Sequence, residues 1–564
     1  MKTKKISGSE AVILSLLEEG VNTIFGYPGG SIMPIYDLLY DYQDKLNHIL
    51  TRHEQGAIHA AQGYSRVSGK VGVCMVTSGP GATNLTTGLA DAMLDSTPVI
   101  CISGQVFAPL LGSDAFQETD VIGFSMPLTK WNIQITRVED IPEMMAKAFF
   151  IATSGRPGPV LIDITKDAQF AEIDFKYKKC KDVRSYVPKP VLQMDYVEQA
   201  AELINNSKKP MALVGQGVIL SGAEKEMLAF VEKADIPAAW TLLGASAIPT
   251  DHPLNVGMLG MHGNYGPNIK ANECDLLIAL GMRFDDRVTG KVDTFGANAK
   301  IVHFEIDPAE VNKNVPADVA VIADIKETLE AILPLIKKNK REEWLNQYRN
   351  AYQYEYDKVI KNDILPEKEG LTMGEVVRII NEKKNGDAIC ITDVGQHQMI
   401  ASRYFKFKNT RSLVTSGGLG TMGFGLPAAF GAQTALPDAT VVLFVGDGGI
   451  QMTIQELGTM VQNKARVKIV LLNNNFLGMV RQWQQLFFDK RYSSTELQNP
   501  DFITIAKGFG VKGQKVESRD KLETAVGEML DHDGPYLLEV KVEKEGNVFP
   551  MVPAGASVSD VRLE

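Results

Sequence analysis

Along almost the whole chain, short apolar, β-branched runs alternate with segments whose apolar residues recur at helical spacing. The runs fall at 71–76, 99–103, 160–164, 211–214, 276–280, 301–306, 441–445 and 468–472. A strand apolar on both faces belongs inside a layered sheet, and helical segments between such strands are the crossovers of βαβ units. The pattern predicts an α/β protein built on mostly parallel central sheets flanked by helices.

Two stretches break the rhythm. Residues 175–191 are basic and contain Pro188 and Pro190, and 337–370 are charged and aromatic with no strand pattern. Read as linkers, they leave three units at 1–175, 190–335 and 370–545, followed by a tail at 546–564. Three units suit the length, because 564 residues exceed what one hydrophobic core serves. No short-period repeat is visible. Gly-rich turns follow strands in both the first and the third unit, a pattern compatible with a distant duplication.

Composition narrows the class. The chain is 45% hydrophobic and 22% charged, ordinary for a globular protein. Its formal charge of −10, with no basic stripe and interleaved aromatics, argues against a nucleic-acid partner. No run approaches the roughly 20 apolar residues of a membrane span. The five cysteines are far apart, mostly inside apolar runs, and at no zinc-binding spacing. They are expected to be reduced thiols in a cytoplasmic protein. Basic Met1-Lys2-Thr3-Lys4-Lys5 is followed by polar residues, so it does not read as a secretory signal.

The candidate chemistry begins in the third unit. The run 441–445 enters Gly446-Asp447-Gly448-Gly449, a helix pattern follows, and a second strand ends in Asn473-Asn474-Asn475. If this is one right-handed crossover, both polar turns emerge at the carboxyl ends of neighbouring strands. Asp447 and Asn474 then converge although 27 positions (474 − 447) separate them. A carboxylate, an amide oxygen and a backbone carbonyl suit Mg²⁺, which takes oxygen donors and leaves places for phosphate. The glycines admit a diphosphate to the backbone and the helix N-terminus. Gly-Asp-Gly alone is an ordinary strand-to-helix turn; its pairing with the double Asn makes it specific. The pair resembles the signature of thiamine-diphosphate enzymes, which implies Asp447, Asn474 and the Phe476 carbonyl as metal ligands.

That cofactor must lose a proton from its thiazolium carbon, and enzymes of this class use a Glu against the aminopyrimidine to promote it. In the first unit Arg52-His53-Glu54-Gln55-Gly56 opens a helix pattern of small residues. By itself Glu54 suits a helix start, where the macrodipole favours a carboxylate. Two Gly-rich turns share the unit, Phe25-Gly26-Tyr27-Pro28-Gly29-Gly30 and Thr77-Ser78-Gly79-Pro80-Gly81-Ala82-Thr83-Asn84. The arrangement resembles the pyrimidine-binding domain of the same superfamily, with Glu54 as the activating acid and the family's pairing of two such domains across a subunit interface. His53 and His397 read as packing or hydrogen-bonding residues, not proton carriers.

The middle unit carries Gly215-Gln216-Gly217, Gly281-Met282-Arg283-Phe284-Asp285-Asp286-Arg287 and Glu305-Ile306-Asp307 at three strand ends. Gly-x-Gly is weak; the arginine-rich stretch is specific. With it the chain resembles, over its full length, the catalytic large subunits of acetohydroxyacid (acetolactate) synthases. The resemblance implies thiamine diphosphate, Mg²⁺ and FAD, a Rossmann-like middle domain and thiamine-type folds on either side. It implies a homodimer or homotetramer and a separate regulatory small subunit.

Residue by residue, the resemblance carries the cofactor to Tyr27, Pro28, Gly29, Gly30, Pro80, Asn84, Val394, Gly395, Gln396, His397, Gly420, Met422, Gly446, Gly448 and Met479. It carries the flavin to Arg156, Gly215, Gly217, Met258, Gly281, Arg283, Asp307 and Asp324. Substrate falls to Phe116, Gln117, Lys166, Met261, Arg287 and Trp483. Arg287 offers a planar fork for a carboxylate, against a surface ion pair with Asp285 or Asp286 as the plainer reading. Trp483 offers an apolar wall for an acceptor one methylene larger than pyruvate, against a helix-face core aromatic. Phe107 stands where the family commonly has Pro. The expected reaction decarboxylates pyruvate and joins the two-carbon fragment to pyruvate or 2-ketobutyrate, the first common step toward valine, leucine and isoleucine. The alternatives are a flavin-free catabolic acetolactate synthase or a related 2-keto acid decarboxylase.

Overall fold

A computed structural model describes residues 5–564; the basic stretch at 1–4 lies outside the described residues. Three six-stranded sheets carry the chain. The first uses β2 (Thr23–Gly26), β3 (Asn47–Leu50), β4 (Gly72–Val76), β5 (Val99–Gln105), β6 (Trp131–Ile135) and β7 (Val160–Thr165). A small antiparallel pair, β1 (Lys5–Ser7) and β8 (Glu172–Asp174), ties the start of this unit to its end. The second uses β9 (Pro210–Val214), β10 (Ala238–Trp240), β11 (Asn255–Met258), β12 (Leu276–Leu280), β13 (Lys300–Glu305) and β14 (Val319–Ile322). The third uses β15 (Ile389–Thr392), β16 (Leu413–Val414), β17 (Val441–Gly446), β18 (Lys468–Asn473), β19 (Lys512–Val516) and β20 (Tyr536–Lys541).

Every pairing inside the three sheets is parallel. The central strands β4, β5, β7, β9, β12, β17 and β18 are buried at every position, as uninterrupted apolar runs require. Edge strands such as β19 (Lys-Gly-Gln-Lys-Val) are mixed in polarity and half exposed, so their sequence gives no comparable signal.

Strand order sets the sites. The first sheet runs β3-β2-β4-β5-β7-β6 and the third β16-β15-β17-β18-β20-β19. Numbered within its own unit, each reads 2-1-3-4-6-5. The second sheet, β11-β10-β9-β12-β13-β14, reads 3-2-1-4-5-6, the dinucleotide-binding order. In each sheet the order reverses between two central strands, and ligands of such sheets sit beyond their carboxyl ends. Those pairs are β2/β4, β9/β12 and β15/β17, and each Gly-rich turn singled out from sequence follows one of these six strands.

The first and third units meet along the helices Glu54–Ser68 and Gly425–Ala435, the most extensive helix pair in the molecule. A Cβ on Gly63 would fall 2.0 Å from the Ala428 carbonyl oxygen, and one on Gly431 would fall 1.9 Å from that of Ala60. Two glycines, one per helix, thus let the backbones touch. Lys337–Gly370, read as a linker, contains the helix Glu342–Glu355, which packs on the helix Tyr265–Ala271 of the middle unit. Its Glu355 forms a fully buried ion pair with Arg403 of the third unit. The tail returns to the middle unit, pairing Val552 N–H with the Met261 carbonyl and Gly290 with Ser557. Four cysteines are buried and Cys180 is partly exposed, all as free thiols. Among the described residues no helix is long and apolar enough to cross a membrane.

Candidate active site

In the third unit Asp447 begins the helix Asp447–Met452 directly after β17, and Asn474 follows the adjacent β18. Both are buried, at 1% and 3% exposure. Phe476 N–H donates to Asn474 Oδ1 at 3.1 Å, which locks the turn carrying the Phe476 carbonyl. Asn475 adopts φ 57° there, a conformation Asn tolerates. Asn499 Nδ2 donates to Asp447 Oδ2 at 2.6 Å and to Asn473 Oδ1 at 3.2 Å. Burial pushes the Asp447 carboxyl up to about 6, with the Asn499 hydrogen bond opposing. A carboxylate desolvated in this way gains most from a cation beside it.

Close approach explains the glycines. A Cβ on Gly446 would sit 3.0 Å from the His397 ring, one on Gly448 2.6 Å from Leu477, and one on Gly449 2.4 Å from Asp393 Oδ1. These turns and Val394, Gly395, Gln396, Met422 and Met479 line one cavity of about 50 Å³. The oxygen donor set and the space kept by the glycines fit Mg²⁺ and a diphosphate. Gln396 Oε1 accepts from Asn474 Nδ2 at 3.3 Å, joining the β15 turn to the β18 turn. His397 is buried, and burial lowers its pKa to about 3. It is a neutral ring packed against Gly395 and Gly446.

In the first unit Glu54 opens the helix Glu54–Ser68, capped by His53, whose Nδ1 accepts from Gln55 N–H at 3.1 Å. Asn84 Nδ2 donates to Glu54 Oε2 at 3.0 Å. Tyr27 N–H bonds the Met75 carbonyl, and Gly29 lies so close to Thr77 that a Cβ would meet its side chain at 2.5 Å. Gly79, at φ 55°, packs so close to Gln117 that a Cβ would fall 2.8 Å from its carbonyl oxygen, and Pro80 follows it. Tyr27–Gly30, Glu54, Pro80, Asn84 and Gln117 therefore share one edge. It is an open edge: Tyr27 is 40% and Phe116 88% exposed. Nearby, the Lys166 ammonium lies 5.9 Å over the Phe107 ring.

In the middle unit the β9 and β12 turns touch. Gly217 N–H donates to the Gly281 carbonyl at 3.0 Å, and a Cβ on Gly215 would meet the same oxygen at 2.2 Å. Gly217, Met258, Gly281, Arg283, Asp324 and Arg156 line a cavity of about 970 Å³, large enough for a dinucleotide. Gly215 and Asp307 do not line it. Gly215 serves the turn contact, and Asp307 accepts from the Arg156 guanidinium at 3.4 Å. Arg156 also pairs with Glu310 at 2.7 Å and bonds Ser96 at 2.9 Å. Asp324 caps the helix Ile325–Ile332.

The same cavity continues past Met261, Arg287 and Trp483 to Val394, Gly395, Gly420, Met422 and Met479. Arg287 lies 3.7 Å from Asp286 in an exposed pair, a contact too solvated to fix it. Its guanidinium also touches the Met261 sulfur at 3.5 Å. Trp483 lies against Phe487, with centroids 5.0 Å apart and ring planes tilted by 41°, and faces the cavity from the helix Gly478–Phe487.

The residues singled out from sequence thus fall into two groups. Glu54, Tyr27, Pro28, Gly29, Gly30, Pro80, Asn84, Phe116, Gln117 and Lys166 border neither cavity. The residues expected from the sequence to serve a metal, a diphosphate and an acceptor in the third and middle units border one or both. Sequence reasoning passed over Asn499, which orients Asp447 from a loop 52 residues away. It also passed over Asp393, whose carboxylate accepts the N–H groups of Val394, Gly423 and Gly425. Asp393 stands in front of Val394-Gly395-Gln396, and an acidic residue ending an apolar strand beside a Gly turn was the available signal.

Residues 6–124 match the N-terminal TPP binding domain of thiamine pyrophosphate enzymes, 197–332 their central domain and 393–540 their C-terminal TPP binding domain. The chain is 47% identical to the acetolactate synthase isozyme 2 large subunit of Escherichia coli, over 99% of both chains. It is 46% identical to a probable acetolactate synthase large subunit of Methanocaldococcus jannaschii, over 99% of this chain and 95% of that one. With the acetolactate synthase large subunit of Corynebacterium glutamicum the identity is 44%, over 99% and 90%.

Proposed function

The chain belongs to the thiamine pyrophosphate enzymes, among the acetolactate synthase large subunits, and from that membership we propose that it is the catalytic subunit of a biosynthetic acetolactate synthase. It decarboxylates pyruvate and condenses the two-carbon fragment with pyruvate or 2-ketobutyrate. The observation that carries this reading is the single cavity joining the third unit's cofactor turns to Arg287, Trp483 and the arginines of the middle unit. A simple decarboxylase needs no second keto-acid site.

Thiamine diphosphate, when bound, would supply an acidic thiazolium carbon as the nucleophile and its cationic ring as the sink for the electron pair released by decarboxylation. Asp447, Asn474 and the Phe476 carbonyl would hold Mg²⁺, with Asn499 fixing the carboxylate that faces it. Glu54 holds and passes a proton at the aminopyrimidine, oriented by the Asn84 amide. Arg287 clamps the acceptor's carboxylate through its planar fork. Trp483 packs on the acceptor's alkyl group, a contact that confers a preference and not an absolute choice, about 1–3 kcal/mol per methylene. Arg156, Arg283 and Asp324 suit FAD in the large cavity, with Gly215 and Asp307 acting behind them.

The Glu54 half of the site opens outward and away from the chain's own cavities, so a second copy completes it, in a homodimer or a tetramer of two such pairs. Relatives named as large subunits support a separate regulatory small subunit. A biosynthetic role and buried free thiols fit the cytoplasm. The test is a product assay with pyruvate and 2-ketobutyrate in competition, run with and without FAD. Acetohydroxybutyrate and acetolactate formed only with thiamine diphosphate and Mg²⁺, and lost on flavin removal, are expected. Full activity of a colourless protein would favour the flavin-free catabolic reading, and acetaldehyde as sole product a decarboxylase.

A further inference from the structure

The first and third units share a strand order, and they also grip each other in the same manner. In each, a helix following the third strand sends carboxylates across the Gly63/Gly431 seam. Each set ends on the loop after the second strand of the opposite unit.

From the third unit comes Glu456, 1% exposed, at the start of the helix Glu456–Gln462. Its two oxygens lie 3.1 and 3.2 Å from the Arg52 N–H, and Thr459 Oγ1 donates to Oε2 at 2.7 Å. The Arg52 guanidinium donates to Gln462 on the same helix at 2.7 Å. A Cβ on Gly56 would fall 2.5 Å from Glu456 Oε1, so the turn has no side chain where the carboxylate enters. Glu54 stands in the middle of this clamped turn.

From the first unit come Asp91 and Asp95, both fully buried, at the end of the helix Thr86–Leu94. Asp91 Oδ1 accepts from the Ser416 hydroxyl and, at 3.0 Å, from that of Thr421. Asp95 accepts from Gly417 N–H at 2.8 Å, Gly418 N–H at 2.6 Å and the Arg66 guanidinium at 2.8 Å. Gly420 and Met422 lie on this loop.

Where the two helices touch most closely, the contacts are Ala and Gly (Ala60, Gly63, Ala428 and Gly431), which direct neither loop. Buried carboxylates cost desolvation that apolar contacts avoid, and what they add is direction. We propose that Glu456 and the Asp91–Asp95 pair are reciprocal positioning residues: Glu456 fixes the Arg52–Gly56 turn so that Glu54 addresses the pyrimidine end of the cofactor, and Asp91 with Asp95 fixes the 415–422 loop that supports the cofactor's other half. The proposal rests on the reading of Glu54 as the activating acid.

The test uses the holoenzyme with thiamine diphosphate, Mg²⁺ and FAD. The readouts are deuterium exchange at the thiazolium C2 of the bound cofactor, cofactor affinity and thermal midpoint. Glu456→Gln is expected to slow exchange roughly tenfold while affinity and thermal midpoint stay near native. Asp91→Asn is expected to weaken cofactor binding roughly fivefold with exchange little changed. Should Glu456→Gln fail to fold, Thr459→Val removes one donor to the same carboxylate and is expected to slow exchange about threefold. Glu54→Gln runs alongside: native exchange in that variant overturns the Glu54 reading itself. Slow exchange in Glu54→Gln together with native exchange in Glu456→Gln, or in Thr459→Val, overturns the positioning proposal alone. A slowed exchange with unmoved affinity in Asp91→Asn overturns its reciprocity.

Discussion

Between β2 and β4 the first unit presents a half-buried carboxylate, an exposed tyrosine and a glycine turn open to the outside. At the carboxyl ends of β15, β17 and β18 the third unit, with the same strand order, presents a buried carboxylate, buried asparagines and glycines closed over a small cavity. Common topology puts both sites at the reversal of strand order; side-chain type and burial then separate their tasks. On the proposed function, Glu54 is a proton-passing acid that a group from another molecule must approach, which suits an open edge. A metal anchor gains from exclusion of water, so its edge is closed. The lesson is that a shared strand order supplies a place, while solvent access separates the proposed roles.

Substitution can break that division. The largest effect is expected on the open side: Glu54→Gln should cost on the order of 10²–10⁴ in kcat with a smaller change in cofactor affinity. Asp447→Asn on the closed side should show the reverse, a large rise in the Mg²⁺ and cofactor requirement at saturable turnover, read by titrating each. Equal kcat and affinity losses in the two variants would erase the distinction.

Next come the seam glycines. Gly63→Ala and Gly431→Ala each drive a Cβ into a carbonyl of the opposite helix, at 2.0 and 1.9 Å. Both should destabilise by about 1–3 kcal/mol or more, and by similar amounts, in thermal or denaturant unfolding. A large loss in one and none in the other would show that the seam is not the symmetric joint its contacts describe.

The acceptor side is sharpened by Trp483→Leu. Product ratios under competition should shift toward acetolactate by about 1–3 kcal/mol of preference, with pyruvate decarboxylation largely kept. An unchanged ratio rejects the role.

The smallest effect concerns an asymmetry within the seam. The Glu54–Ser68 helix buries His59 against Phe424, with ring centroids 5.2 Å apart. Burial lowers the His59 pKa from 6.5 to about 3, with Arg66 adding to the shift. A depressed folded-state pKa gives stability that is present above the unfolded value and lost as pH falls. From pH 6.5 to 5.5 the native chain should lose about 1 kcal/mol through this group. In His59→Gln the difference between thermal midpoints at those two pH values should shrink accordingly, and an unchanged difference would remove His59 from the acid response.

The middle unit shows how far sequence reading reached. Its uniformly apolar strands were legible, as were Gly217, Gly281 and Arg283, because β9 and β12 end in turns whose composition is unlike their surroundings. Asp307 was legible as polar at a strand end, but its place behind Arg156 was not, since an ion pair at 3.4 Å depends on how two units dock. The helix Glu342–Glu355 was missed for a related reason. Its buried residues, Trp344, Leu345, Tyr348 and Glu355, do fall on one helical face, but the stripe is short, ends in a buried carboxylate and sits among many charges. Asn499 and Glu456 are unremarkable in sequence; each acts on a partner 52 (499 − 447) or 404 (456 − 52) positions away.

By itself the sequence determined the α/β class and the turns at which the proposed function places a diphosphate and a metal. Those depend on local matters: apolar runs, glycines that admit a backbone approach, and oxygen donors at strand ends. Only the tertiary structure decided that the first and third units share one strand order, that carboxylates cross the seam between them, and that Glu54 opens outward while Arg287 and Trp483 share a cavity with Met422. Those facts depend on which strand ends come together and which faces are left to solvent, and no spacing along a chain encodes either.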